Sequence, residues 1–151
     1  MKQSLITEPV MGEVRVEVKL TNLFDWEKAE EGKLKPDRVR VVTADAMVDT
    51  GAVRSAVPPH VVRLLGLTPR RTQVVEYADG RKEAVNLTGP VVVELEGRST
   101  LEDALVLGDE VLIGQTVLEK LDLFVDCQRR RLVPNPAHPD QAVTKVKRAE
   151  I

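Results

Sequence analysis

Charged and apolar residues alternate without a break from Glu13 to Leu20, the two-residue period of a strand with one buried face. Two later apolar runs end in glycine turns. Arg38 to Val48 reads as a strand, irregular at Thr43-Ala44-Asp45, that delivers Asp49-Thr50-Gly51-Ala52, and Glu110-Val111-Leu112-Ile113 runs into Gly114-Gln115. A short helix is predicted after each. The first has Pro58-Pro59 at its start, Val61, Val62, Leu64 and Leu65 inside, and Gly66 as its stop. The second is Thr116 to Leu121, so the order of strand, glycine turn and helix occurs twice. Between the two halves, Val74 to Arg81 predicts a β-hairpin with a two-residue Asp79-Gly80 turn. Pro90 to Leu95 and Ser99 to Leu107 form a strand pair about Glu96-Gly97, and Leu123 to Asp126 is followed by a return strand, Arg131-Leu132-Val133. Thr21 to Asp37 is polar, with Glu30-Glu31-Gly32-Lys33 and Pro36, and predicts a long exposed hairpin loop. Pro134 to Pro139 is too proline-rich for a helix or central strand and predicts an extended linker, after which Gln141 to Val146 could add a terminal strand.

These elements predict an all-β domain carrying one or two short helices. At 151 residues the chain has the length of one domain and can bury a sizeable core. Hydrophobic residues make up 42%, mostly Val and Leu in short runs broken by Gly, Pro and Asp, which excludes general disorder and favours strands. Aromatic residues are only 3% and the net charge is −2, so neither base stacking nor electrostatics argues for nucleic acid. No apolar run approaches membrane-spanning length, and Met1-Lys2-Gln3-Ser4 leads into no signal-like stretch, so no membrane partner is expected. The single Cys127 forms no internal disulfide, consistent with a reducing compartment and a cytoplasmic location.

Asp49 is the candidate for chemistry. Asp-Thr-Gly on its own is common turn material, since Asp and Thr bond their own backbone and Gly tolerates positive φ. Here apolar Ala46-Met47-Val48 and Ala52-Val53 flank it, which places a carboxylate in a core strand, where a charge is costly without a use or a partner. Hydrolysing an amide with water is best done by two carboxylates sharing one proton, and the motif occurs once. A catalytic Asp49 therefore requires a second Asp49 from a second copy. Other candidates are weaker. Cys127 has neither His60 nor His138 near it in sequence and reads as a structural residue at a strand end, and His60 reads as a surface residue. Two histidines and one cysteine give no metal-ligand spacing, so neither metal nor cofactor is expected. Arg129-Arg130-Arg131 and Lys145-Val146-Lys147-Arg148 read as solvated faces, and no Gly-rich phosphate loop is present.

Asp49-Thr50-Gly51-Ala52, the hairpin tip Tyr77-Ala78-Asp79-Gly80, and Leu112-Ile113-Gly114 with its following helix occur in an order and spacing that resemble the retropepsin-like aspartic proteases. These are the single-lobe relatives of pepsin, and the match is to their small bacterial and archaeal members. The resemblance covers roughly Glu13 to Val133. It implies a closed acid-protease barrel with one lobe per chain over residues 1–133, and a linker and tail over 134–151 that could supply a dimer-interface strand, as could the N-terminal residues. It further implies an aspartic endopeptidase acting on peptide or protein substrates as a homodimer, with water activated between two Asp49 carboxylates. Thr50 would brace the pair across the axis, Gly51 would let the two turns approach, and Ala52 would leave room for substrate backbone. Tyr77 to Gly80 would form a flap, and Glu110 and Leu112, by strand alternation, would line the cleft. Retroviral members usually carry an acidic residue just after the motif's Ala and an Arg after the second motif's Gly; here those positions hold Val53 and Gln115, so retroviral substrate preference does not transfer. The rival readings are a catalytically idle dimerisation or peptide-binding module of the same fold, and a β-barrel in which Asp49 only forms a turn.

Overall fold

The computed structural model describes residues 13–147. Its strands are β1 (Val14–Asn22), β2 (Val41–Val48), β3 (Ala56–Val57), β4 (Pro69–Glu76), β5 (Lys82–Leu95), β6 (Arg98–Val106), β7 (Leu112–Ile113), β8 (Leu123–Asp126) and β9 (Arg131–Pro134); its helices are α1 (Leu23–Glu30), α2 (Pro59–Leu65) and α3 (Gln115–Leu121). Strands β1-β2-β7-β3-β6-β5 are paired in that order and β1 also pairs with β5, so six strands close into a barrel. Strand β4 hangs outside the ring on β5, while β8 and β9 form a separate two-stranded sheet. The expected all-β closed barrel is what forms.

The alternation of β1 puts Val14, Val16, Val18 and Leu20 inside, where Val18 and Leu20 meet Val91 and Val93 of β5, Leu65 of α2 and Val117 and Leu121 of α3 in one core. Helix α2 keeps the predicted ends: Pro59 fills a first-turn position whose N–H needs no intrahelical partner, and Gly66 closes the helix at φ 64°, a left-handed conformation suited to glycine.

Two sequence expectations fail here. Strand β2 pairs with β1 without interruption from Val14↔Val48 to Thr21↔Val41, so the irregularity at Thr43-Ala44-Asp45 does not exist. Thr43 and Asp45 simply face water while Ala44 and Ala46 turn toward the core. Thr21 to Asp37 is not an exposed hairpin loop either: it holds the end of β1, helix α1 and a 3-10 turn at Pro36–Arg38. Asn22 is buried, its side chain accepting from Asp25 N at 2.9 Å and donating from Nδ2 to Leu65 O at 2.7 Å. Buried Asp25 in turn accepts from Arg40 Nε at 2.7 Å, Nη2 at 3.0 Å and backbone N at 3.0 Å. Helix α1 is thus held by polar anchors rather than an apolar stripe, and it brings the count of short α-helices among the described residues to three.

Within the single chain residues 141–147 form no strand: they pair with none among the described residues, and Val143 N donates to Asp122 Oδ2 at 3.1 Å, so that the tail runs as a strap. Asn135 Nδ2 and His138 Nδ1 contact the two oxygens of the same carboxylate at 3.0 and 2.6 Å. First the Asn135 amide, then the Val143 N–H and His138, hold the Asp122 carboxyl down at about 2. A strand contributed by the N-terminal residues would lie outside the described residues.

Candidate active site

Strand β7 runs between β2 and β3, parallel to β2 (Met47↔Leu112, Val48↔Ile113) and antiparallel to β3 (Ala56↔Leu112). The chain from β2 to β3, residues 49–55, must therefore cross over the end of β7. Hydrogen bonds lock the crossing. Asp49 N donates to Ile113 O at 2.9 Å, Ala52 N to Asp49 O at 3.1 Å, Gln115 N to Ala52 O at 2.8 Å and Thr116 N to Val53 O at 2.9 Å. Buried Ser55 accepts Gly114 N on its Oγ at 2.9 Å. A β-carbon on Gly114 would stand 2.5 Å from the backbone carbon and oxygen of Arg54, so only glycine lets the crossing chain pass this close. The two glycine turns of the sequence are thus one piece of structure.

Asp49 is half-buried, with Thr50 and Gly51 exposed beside it and Ala52 half-buried. Its Oδ1 accepts from Gly51 N at 3.0 Å, while Oδ2 has no partner among the described residues. A β-carbon on Gly51 would press on that same Oδ1 at 3.3 Å, so the glycine also protects the carboxylate's position within its own chain. The carboxylate therefore does not sit in the core, as its apolar flanks suggested; it stands at the barrel surface with one oxygen open.

Leu112 is half-buried between Met47 and Ala56, Ile113 is core, and Gly114 is buried under the crossing chain. Glu110 is tied to Arg15 Nη2 at 2.7 Å, beside Glu13 and Asp45 on the same guanidinium, which turns it toward a structural ion-pair cluster. The β4–β5 hairpin projects from the barrel and carries Tyr77, Ala78, Asp79 and Gly80 at its tip. Its turn is one residue longer than the sequence suggested. Tyr77 pairs with Arg81 (N to O, 2.8 Å), Gly80 N closes a turn onto Tyr77 O at 2.9 Å, and Gly80 takes φ 87°. Asp79 accepts Arg81 N at 3.0 Å and Nε at 2.7 Å, which lowers its pKa. Tyr77 donates its hydroxyl to Glu83 at 2.6 Å, which raises its own.

Sequence reasoning passed over Glu102 of β6. Its side chain is 2% exposed and pairs with Lys120 Nζ of α3 at 2.8 Å. Its other oxygen accepts the Thr116 hydroxyl and, at 3.4 Å, Ser55 N. The signal was there: Glu102 is in phase with core residue Ala104, while Leu101 points outward and is 45% exposed.

Among the described residues no group of three or more His, Cys, Asp or Glu is placed to hold a metal ion, and no helix is long and apolar enough to cross a membrane. Cys127 and His60 are exposed. A concavity of about 910 Å³ lies away from Asp49, between α1 and the outer faces of β1, β5 and β6, with Trp26, Thr21, Val92 and Leu101 in its lining.

Comparison with known proteins adds three findings. Among solved structures, the chain is similar to the solution structure of simian foamy virus (mac) protease at 15% identity, over 69% of this chain and 90% of that one, with a TM-score of 0.44. No curated protein matches. The family described as "gag-polyprotein putative aspartyl protease" matches residues 38–120, more than half of the chain and a span that contains both glycine turns and the projecting hairpin. The chain belongs to this retropepsin-like aspartyl protease family.

Proposed function

We propose that the chain is an aspartic endopeptidase that works as a homodimer, with one Asp49 from each copy. The observation that supports this most directly is the open Oδ2 of Asp49 on a turn held from behind by Ile113, Ala52 and Gly51. One chain carries half of a carboxylate pair, rigidly mounted and facing out. Two such groups across a two-fold axis cannot both ionise cheaply, so the pair holds one proton. The ionised member takes a proton from a water molecule, whose oxygen bonds to the scissile carbonyl carbon. The protonated member hydrogen-bonds the carbonyl oxygen. Collapse of the adduct breaks the C–N bond, the proton taken from water passes from its carboxyl to the leaving amine, and the pair is left holding one proton as before.

Other parts fit these roles. Thr50, exposed beside Asp49, is available to brace the partner's turn, and Ala52 and Leu112 offer small and apolar surface to an extended peptide. The projecting hairpin is built as a lid, with Tyr77 and Asp79 tied within it by Glu83 and Arg81 so that it moves as one arm. Among the described residues no strand pairing joins the β8–β9 sheet to the barrel, and it shows Phe124 half exposed, a surface suited to meeting a second copy. The free, exposed thiol of Cys127 suits a reducing, cytoplasmic setting.

The experiment is peptide cleavage by wild-type and Asp49→Asn protein, with sedimentation on the same samples. The substitution should remove nearly all cleavage while fold and dimer persist. Full activity in the variant, or cleavage by a protein that sediments only as monomer, would overturn the reading.

A further inference from the structure

We propose that Glu102 is a positioning residue for Asp49, an inference that rests on the endopeptidase reading for its kinetic part but not for its structural part. Glu102 lies on β6, outside both glycine turns, yet its carboxylate reaches the chain on either side of their crossing. It touches Ser55, the last residue of the Asp49 crossing, and Thr116, two residues past Gly114. Ser55 passes the contact on by accepting Gly114 N on Oγ at 2.9 Å. Thr116 passes it on by donating its N–H to Val53 O at 2.9 Å, next to Ala52, which accepts Gln115 N at 2.8 Å and donates to Asp49 O at 3.1 Å. The result is a closed ring of contacts from Glu102 through Ser55, Gly114 and Ile113 to Asp49 and back through Ala52, Gln115 and Thr116.

The side chains of Val53 and Gln115, on either side of the crossing, offer no such tie. Val53 is 70% exposed, and Gln115 contributes only its backbone N–H. A charged side chain 2% exposed is retained here against its desolvation, satisfied by Lys120 Nζ at 2.8 Å on one oxygen and by Thr116 and Ser55 on the other. Lys120 also donates to Leu101 O at 2.7 Å, which holds α3 against β6 so that the Thr116 hydroxyl stays in reach. The carboxylate of Glu102 never meets substrate; it sets where the Asp49 turn stands relative to a second copy.

The test compares Glu102→Gln, Thr116→Val and Thr116→Ser with wild type, by amide exchange and by kinetics. Exchange at Ser55, Gly114, Gln115 and Thr116 should accelerate about tenfold or more in Glu102→Gln and Thr116→Val, while Val18 and Val93 in the core change less than about twofold. Thr116→Ser, which keeps the hydroxyl, should behave as wild type. In Asp49-dependent cleavage, kcat should fall about tenfold or more with KM nearly unchanged, because a small displacement of a reacting group costs rate rather than binding. Unchanged exchange at those four amides, or acceleration spread evenly over the whole barrel, overturns the proposal. So does a normal kcat in Glu102→Gln where Asp49→Asn is inactive. Cleavage that survives Asp49→Asn refutes the endopeptidase reading instead, and the exchange result still decides the role of Glu102.

Discussion

Asp25 and Asp49 flank the same barrel and receive opposite treatment. Asp25 is buried and takes three hydrogen bonds from Arg40, which lower its pKa, and it holds α1 to the start of β2. Asp49 accepts one backbone N–H and leaves an oxygen open at the surface. A carboxylate that builds the fold is surrounded by donors until nothing more can reach it. A carboxylate held rigidly by the backbone behind it, but left short of donors in front, is available to something outside the chain. Glu102 belongs with Asp25 in burial and satisfaction, yet its partners lead to the Asp49 turn.

The largest effect should come from breaking the frame behind Asp49. In Gly114→Ala the new carbon would stand 2.5 Å from backbone atoms of Arg54 and 2.9 Å from Ser55 N, none of which can rotate away. We expect a loss of about 3 kcal/mol, since overpacking against rigid backbone lies at the upper end of its usual range. For a chain of this size that lowers Tm by about 10 °C, and a shift below about 1 °C in thermal unfolding would show that the crossing is slack.

Asp25→Ala sharpens the contrast from the other side. It removes three donors' acceptor, but the Arg40 side chain is 50% exposed and regains water, so the cost is about 2 kcal/mol rather than that of a fully buried pair. Activity per folded dimer should be unchanged, measured by chemical denaturation and peptide turnover on one preparation. A loss of turnover without loss of stability would erase the distinction between the two aspartates.

Gly80→Val addresses the lid. At φ 87° a β-branched residue is strained by about 1–2 kcal/mol, but a β-carbon on Gly80 would meet nothing within 4 Å, so global stability should fall by no more than that. Turnover should fall more steeply, by about tenfold, if the hairpin closes over peptide. Turnover per folded dimer equal to wild type would make the hairpin a structural turn only.

The smallest effect concerns the tail strap. The folded pKa of Asp122 is depressed to about 2, so its hold on Asn135, Val143 and His138 is complete above the ordinary carboxylate range and is lost as pH falls through about 2. Amide signals of Asn135 and Val143 should stay native to about pH 3 and shift below it, before or with global acid unfolding. Release of the tail near pH 5 would contradict this.

Much of this architecture was legible from punctuation. Gly66 and Pro58-Pro59 bounded α2, Gly114 opened α3, and the Asp79-Gly80 signal marked the hairpin, because these residues act through local backbone geometry. What escaped depends on partners far along the chain. Helix α1 is anchored by Asn22 to Leu65 and by Asp25 to Arg40, contacts across 43 and 15 residues that no local window contains. The extra residue in the hairpin follows from Tyr77 pairing with Arg81, a choice of register that the Asp-Gly pair does not make alone. Glu102 was hidden because Leu101 beside it looks like the buried residue of the pair, although the two-residue phase set by Ala104 points the other way.

The central claim, that the site needs one Asp49 from each of two copies, is tested most directly by mixing subunits. Wild-type and Asp49→Asn chains are unfolded together, refolded at varied ratios, and assayed for peptide cleavage at constant total protein. If the site is shared, mixed dimers are inactive and activity falls as the square of the wild-type fraction, leaving about one quarter in an equal mixture. Activity that falls in simple proportion, leaving about half, would show that each chain carries a complete site of its own and would contradict the account.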